Sequence, residues 1–360
     1  MDELRRLLTV ADMGEKRIIK EILRPLCGSP PDGLGIGDDA AMLEMPPGTS
    51  LLLTTDKIPE DLLALQLGVM DAFHHGRYLA TVNISDIAAM GGAPIGLLTT
   101  LALPNDFKID YLIEFFRGVV AGGAVWNTPL VGGDLGWGSV PCLSATAAGY
   151  VKRAEVLRRN TARPENTVFV TGYVGGFSTA LAYFFGAKPE GLKLSRADED
   201  YLTQKLIAPQ ARVDIGRLLA ASHLCTSCMD ITDGVGQTIY ELAAESNCGF
   251  LIDERRVPLH ATTRAVAEFL NIDAMDLTMG IGLDLELLGT LACAADALPE
   301  SLQTRLHCIG SVSTEPNNML IRLSGQKTTL PVKGWQHFVA TSARELVSSH
   351  YRKRLSRDAP

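Results

Sequence analysis

Five short stretches place aspartate beside glycine or a small hydroxyl residue: GIGDDAAML (Gly35 to Leu43), LLTTDK (Leu52 to Lys57), VNISDIAAMGGAP (Val82 to Pro94), VGGDLG (Val131 to Gly136) and MDITDGVG (Met229 to Gly236). Carboxylates that converge without cations repel one another, and divalent ions among them resolve the conflict. Magnesium takes an octahedron of oxygens from carboxylates, phosphates and water, so these motifs suit an enzyme that handles a polyphosphate. Glycine beside the carboxylate lets the backbone approach phosphate closely. For any one motif alone a turn or a helix cap is the stronger reading; five in one chain shift the balance toward metal.

Other phosphate and catalytic signatures are absent from the sequence. It has no Walker A loop, no kinase-type H-R-D with D-F-G, and no G-x-G-x-x-G after a strand. GYVGG (Gly172 to Gly176) matches a glycine-rich phosphate loop weakly, and a simple strand-to-helix turn explains it equally well. Cys225 and Cys228 form a C-x-x-C with His223 nearby, but zinc would need a fourth ligand that the neighbouring sequence lacks. Buried free thiols are the better reading, and an odd total of seven cysteines fits reduced thiols. His74, His75 and His337 have no acid partner at readable spacing and read as packing or surface residues.

The elements that must position the aspartates alternate between strand and helix. A helical pattern over the first 25 or so residues enters a Gly/Pro-rich loop from Gly28 to Gly37. Leu51 to Thr55 reads as a strand ending in Asp56, Leu79 to Met90 as a helix, and Leu97 to Leu103 as a strand stopped by Pro104. Residues 108 to 125 are helical, Pro129 to Val131 is a strand running into Gly132, Gly133 and Asp134, and Leu143 to Val151 is a further strand. The polar run KRAEVLRRNTARPEN marks a domain boundary, after which strands and helices mix again: a strand at Val168 to Thr171, helices at Val213 to Ala221 and Gln237 to Ser246, and a strand end at Met229 to Ile231.

At 360 residues the chain predicts two domains, and 46% hydrophobic with 21% charged residues allows sizeable soluble cores. A formal charge of −8 argues against a nucleic-acid surface and for bound cations. The N-terminus lacks the order of a signal peptide, and the longest uncharged stretch, Ile87 to Asn105, is broken by glycine and proline, so no membrane span is expected and a cytosolic protein is.

Taken in order, the motifs resemble the thiamine-monophosphate kinase family, of the superfamily that includes aminoimidazole ribonucleotide synthetase, selenophosphate synthetase and the hydrogenase maturation factor HypE. The match runs almost end to end, through GIGDDAAML, TTD, VNISDIAAMGGAP, VGGD, the VTG of 170 to 172, MDITDG, DLELL at 284 to 288, IGSV at 309 to 312 and KGWQHF at 333 to 338. The resemblance implies an α+β two-domain chain. An N-terminal sheet domain, residues 1–150, would bind ATP and magnesium and pair with that of a second subunit into a barrel-like sheet. A C-terminal α/β domain, residues 151–345, would pack on it, and residues 346–360 would form a polar tail. A homodimer and a small phosphorylated acceptor follow from the same resemblance.

By motif, Asp39, Thr54, Thr55, Asp56, Asp86, Asp134 and Asp230 resemble the magnesium-binding set, with Asp38 adjacent. Gly133 and Asp134 would meet the nucleotide, and Arg159, with Arg158 an equally basic neighbour, resembles the family's ATP-contacting arginine. Thr232 stands where the family has serine, and Asp233 would hold a metal facing the acceptor phosphate. Direct in-line transfer is implied, with Asp39, Asp56, Asp86 and Asp233 as the catalytic carboxylates and no phosphoenzyme.

Departures fall on the acceptor side. After TTD the segment KIPEDLLALQLG lacks the family's His-Phe pair, GGD runs on as LGWG, and IGLDLEL replaces G-G-E-D-Y-E-L, so Leu283 takes the glutamate position and Leu285 the tyrosine position. Trp335 survives, and either stacks on a substrate ring or plugs the second core. Three functions are compatible with this pattern: a kinase of this type; an ATP-dependent synthetase, cyclase or dehydratase that activates an amide or carboxylate oxygen; and a nucleotide-binding subunit of a partner enzyme.

Overall fold

The computed structural model describes residues 8–27, 41–59, 62–188 and 190–331. The chain divides into two compact units: Met1–Ala88 with Gly92–Ala154, and Ala89–Gly91 with Glu155–Pro360. The division after Ala154 compares with an expected boundary at 150.

The first unit contains β1 (Thr49–Ile58), α1 (Ala72–Ala89), β2 (Ala93–Leu103), α2 (Ile109–Ala124), β3 (Leu130–Trp137) and β4 (Cys142–Lys152). Its sheet has the order β1-β4-β2-β3, with β4 antiparallel to both β1 and β2, and β2 parallel to β3. Both β1 and β3 are edges, so the sheet is open and no barrel closes within the described residues of one chain.

Strand alternation assigns the faces. On β1, Leu52, Thr54 and Asp56 turn toward α1, whereas Leu51 and Leu53 are 48% and 65% exposed on the other face. The helix pair covers one face and packs closely: a Cβ on Gly76 would lie 1.8 Å from the Phe115 carbonyl, and one on Gly118 1.8 Å from that of Phe73. Glycine is required there because the two backbones meet directly.

The second unit holds β5 (Thr167–Val170), α3 (Gly176–Ala182), α4 (Arg196–Ile207), α5 (Val213–Ser222), β6 (Cys225–Asp230), α6 (Val235–Ser246), β7 (Gly249–Asp253), α7 (Ala261–Phe269), β8 (Leu287–Leu291), β9 (His307–Ser313), β10 (Met319–Ile321) and β11 (Lys327–Thr329). Its mixed sheet has the order β11-β10-β7-β9-β5-β8-β6. Val168 and Val170 of β5 join a core with Val235, Ile239 and Leu242 of α6, while Phe169 between them joins another with Ile215 and Leu219 of α5. Helices therefore cover both faces, as a sheet whose strands are buried on both sides demands.

Register fixes one end of this sheet. Val170 pairs with Leu288 and with His307, and Asp230 pairs with Leu287. The ends of β5 and β6 therefore lie beside the starts of β8 and β9, and the loops leaving them share that end.

Candidate active site

In the first unit, the TTD segment and α1 meet through side chains. The Thr54 hydroxyl donates to Asp86 Oδ2 at 2.6 Å, and the Asp56 backbone N–H donates to Asn83 Oδ1 at 3.0 Å. Asn83 is fully buried, and its amide donates to the Leu79 carbonyl at 2.9 Å, so it clamps the strand to the helix. Asp86 lies one turn beyond Asn83 and remains half-buried. Carboxylate and hydroxyl oxygens of this kind suit a hard cation, which binds through one or two carboxylates and fills its other positions with phosphate and water. Among the described residues no three His, Cys, Asp or Glu side chains form a cage of their own.

Two expected partners are placed differently. Thr55 points to the opposite sheet face, where its hydroxyl donates to the Ala145 carbonyl at 2.9 Å and accepts from Thr146 at 3.2 Å. Asp134 pairs with Thr100 and shares the face that carries Leu98, the one away from the helices. It stands on β3, the opposite edge from β1. At ~4.8 Å per strand, three spacings put it about 14 Å from the TTD strand of the same chain. Gly133 precedes it, and a Cβ there would lie 2.1 Å from the Thr99 carbonyl. Asp38, Asp39 and Trp335 lie outside the described residues, as do His337 and the expected tail.

The second unit builds its own acidic end. Asp230 closes β6 with 1% exposure, and Thr232 and Asp233 follow, half-buried, in the turn before α6. That turn is braced by the DLE segment: the Ile231 N–H donates to the Glu286 carbonyl at 2.9 Å, and the Leu285 N–H to the Ile231 carbonyl at 3.0 Å. The Glu286 side chain is fully buried and accepts a two-point contact from the Arg212 guanidinium, with Nε at 2.7 Å, plus the Thr171 hydroxyl at 2.8 Å. Thr171 in turn accepts the Leu287 N–H at 2.8 Å. Leu285, fully buried, has φ +52°, a left-handed conformation unfavourable for a branched side chain. Leu283 is half-buried two residues before it.

The glycine loop is a strand-to-helix turn with its donors already taken. Asp284 accepts the Gly175 N–H at 2.6 Å and the Phe177 N–H at 3.1 Å. Burial pushes its carboxyl up, opposed by the charge of Lys205 and by those two N–H groups. A phosphate has no claim on these donors while Asp284 holds them. Arg159 lies 3.7 Å from Glu241, and its carbonyl accepts the Ser246 hydroxyl at 3.0 Å.

Asn83, Arg212, Asp284 and Glu286 were not singled out from the sequence as site residues. The available signal was charge inside an apolar run, since DLELL places two carboxylates at positions whose neighbours are all core. The C-x-x-C thiols are structural: Cys225 donates to the Ser227 carbonyl at 3.3 Å, and hydrogen bonding from Cys225 together with burial pushes the Cys228 thiol up. Neither belongs to a metal cluster among the described residues. His75 is fully buried, bonding Tyr111 at 2.8 Å and the Pro59 carbonyl at 3.0 Å.

The two-unit fold, with its TTD strand tied to α1 and its acidic sheet end, is that of the AIR synthase related class. Residues 37–151 match the model of its N-terminal domain and residues 163–296 that of its C-terminal domain. Among curated proteins, the thiamine-monophosphate kinase of Pyrococcus abyssi is 32% identical over 305 residues, covering 84% of this chain and 90% of the relative. Among solved structures, the thiamine-monophosphate kinase of Stenotrophomonas maltophilia K279a is similar with a TM-score of 0.68 at 30% identity, over 80% of this chain and 90% of that one. AaThiL complexed with AMPPCP and TMP is similar with a TM-score of 0.69 at 26% identity, over 92% and 99%. The chain belongs to the thiamine-monophosphate kinase family, a family of ATP-dependent kinases.

Proposed function

We propose that this chain is a magnesium- and ATP-dependent phosphotransferase that phosphorylates thiamine phosphate or a closely related small phosphorylated acceptor. The observation that carries the reading is the pair of bonds, Thr54 to Asp86 and the Asp56 backbone to Asn83, that ties the TTD strand to α1, in a chain whose relative AaThiL was solved with AMPPCP and TMP. Thr54, Asp56 and Asp86 would hold magnesium, with Asp39 from its motif. Within the first unit Gly133 and Asp134 carry the nucleotide motif; within the second Arg159 and Thr232 are nucleotide-side residues, and Asp230 and Asp233 would hold metal, Asp233 facing the acceptor phosphate. When bound, magnesium neutralises charge that spreads over the phosphoryl oxygens during transfer.

The residues of this chain supply position rather than a nucleophile. Asn83 fixes the strand that carries Asp56, and Glu286 fixes the turn that carries Asp230 and Asp233. An acceptor phosphate with a second pKa of about 6 is already ionised at neutral pH, so no general base is required. The open face with Leu51, Leu53 and Leu98 supports pairing with a second copy as a homodimer, because an apolar face of that kind is seldom left to water. Among the described residues no helix is long and apolar enough to cross a membrane, and all seven cysteines are free thiols, which supports a cytosolic setting.

The test is incubation of purified protein with magnesium, ATP and thiamine phosphate, separating thiamine compounds by chromatography. Thiamine diphosphate formed in step with ADP is expected. Free phosphate with a dehydrated or cyclised acceptor would move the chain to the synthetase reading. ATP binding without turnover on any acceptor would make it a partner subunit.

A further inference from the structure

The loop leaving β5 is pinned everywhere but at one residue. Gly172 sits against Glu286, where a Cβ would lie 2.7 Å from the carboxyl carbon. Val174 is buried, and its N–H donates to the Pro258 carbonyl at 3.2 Å; the Gly175 N–H donates to Asp284. Tyr173, between them, is 49% exposed. An outward ring on a fixed backbone pays little conformational cost when a ligand covers it.

The ring is also oriented. It stacks on His307 with centroids 6.4 Å apart and planes at 28°, and it meets the edge of His260 at 5.5 Å and 88°. His260 lies flat on Tyr201, at 3.8 Å and 17°, and its Nδ1 accepts the Thr262 N–H at 3.3 Å. The Tyr201 hydroxyl is buried without a hydrogen-bond partner among the described residues. Tyr173 is therefore braced by two imidazoles at the sheet end that also carries Asp230 and the DLE segment.

We propose that Tyr173, held by His260 and His307, is the platform on which the planar, electron-poor heteroaromatic ring of the acceptor stacks. This rests on the phosphotransferase reading above and names the acceptor feature that the site selects. A tyrosine face attracts a cationic or electron-poor ring through its quadrupole. The preference survives replacement of the family glutamate by Leu283, because it needs no ion pair. Asp284 and Glu286, the nearby carboxylates, are committed to backbone donors and to Arg212 and so are not substitutes for that glutamate.

Steady-state kinetics and calorimetry on the full chain test this, using wild type, Tyr173→Ala and Tyr173→Phe with thiamine phosphate, thiamine and AMPPCP as probes. Tyr173→Ala is expected to raise KM for thiamine phosphate and Kd for thiamine about tenfold, the scale of one lost aromatic contact. KM for ATP, Kd for AMPPCP and Tm should stay as in wild type, and Tyr173→Phe should keep acceptor affinity. If wild type phosphorylates thiamine phosphate and Tyr173→Ala leaves acceptor KM unchanged, the platform is wrong and the kinase reading stands. If wild type binds thiamine through Tyr173 without transferring phosphate, the platform stands and the kinase reading falls. A wild type that neither binds nor phosphorylates these compounds overturns both.

Discussion

Thr54 and Asp86 lie 32 residues apart in sequence, yet the hydroxyl of one donates to the carboxylate of the other at 2.6 Å. That bond fixes the Asp86 carboxylate against the TTD strand, so a change at either residue alters how the pair would present oxygens to a cation. Asp86→Asn should weaken magnesium binding and lower activity by roughly 100-fold or more at low magnesium, with partial recovery at high magnesium. Thr54→Val keeps the shape and removes the donor, so a smaller loss, roughly tenfold, is expected. Activity measured across a magnesium titration checks both; an unchanged magnesium requirement in Asp86→Asn would remove this residue from the metal site.

Arg212 and Glu286 form a pair whose carboxylate is fully buried. Arg212→Met leaves that charge uncompensated and should cost on the order of 3 kcal/mol, whereas Arg212→Met with Glu286→Leu should recover much of the loss because no orphan charge remains. Urea denaturation of the three proteins measures the difference. In Arg212→Met at a temperature where it is folded, kcat should also fall, since the Glu286 backbone positions the turn that carries Asp230 and Asp233.

Much of this arrangement was legible in the sequence, because short-range chemistry marks it. The TTD strand, the helix with NISD and the strand running into GGD are all legible, but their lengths are not. α1 starts at Ala72 rather than near Leu79, since its first turns meet α2 through backbone at Gly76 and Phe73 and show no one-sided apolar stripe. β3 runs through Gly133 and Asp134 to Trp137, although two adjacent glycines read as a strand end. The faces of the strands are less legible still. Thr54, Thr55 and Asp56 stand in one motif, but strand alternation sends Thr55 to the far side, and the sheet order separates Asp134 from both. A linear motif carries no information on strand order, which only long-range pairing decides.

His75 couples stability to pH. Burial lowers its pKa to about 4, from 6.5 in the unfolded chain. The unfolded state therefore takes up a proton that the folded state refuses, so stability is intact above pH 6.5 and falls as pH drops from 6.5 toward 4. The full effect is on the order of 3 kcal/mol. His75→Gln can keep hydrogen bonds to Tyr111 and Pro59 without titrating, and its unfolding free energy should be flatter than wild type over that interval. Parallel slopes from pH 7 to pH 4.5 would show that His75 is not the group responsible.

Leu285 sets two effects against each other. Its φ of +52° strains a branched residue, and glycine there would release about 1 kcal/mol. The same side chain is fully buried, and removing a buried leucine costs about 2 to 5 kcal/mol. The second term is larger, so Leu285→Gly should be destabilised by roughly 2 kcal/mol despite its better backbone, while Leu285→Asn, which tolerates the left-handed region, should fare worse because it also buries an amide. Thermal or urea unfolding of the two variants decides the order. A Leu285→Gly protein more stable than wild type would mean that backbone strain, rather than packing, dominates this bend between Asp284 and Glu286.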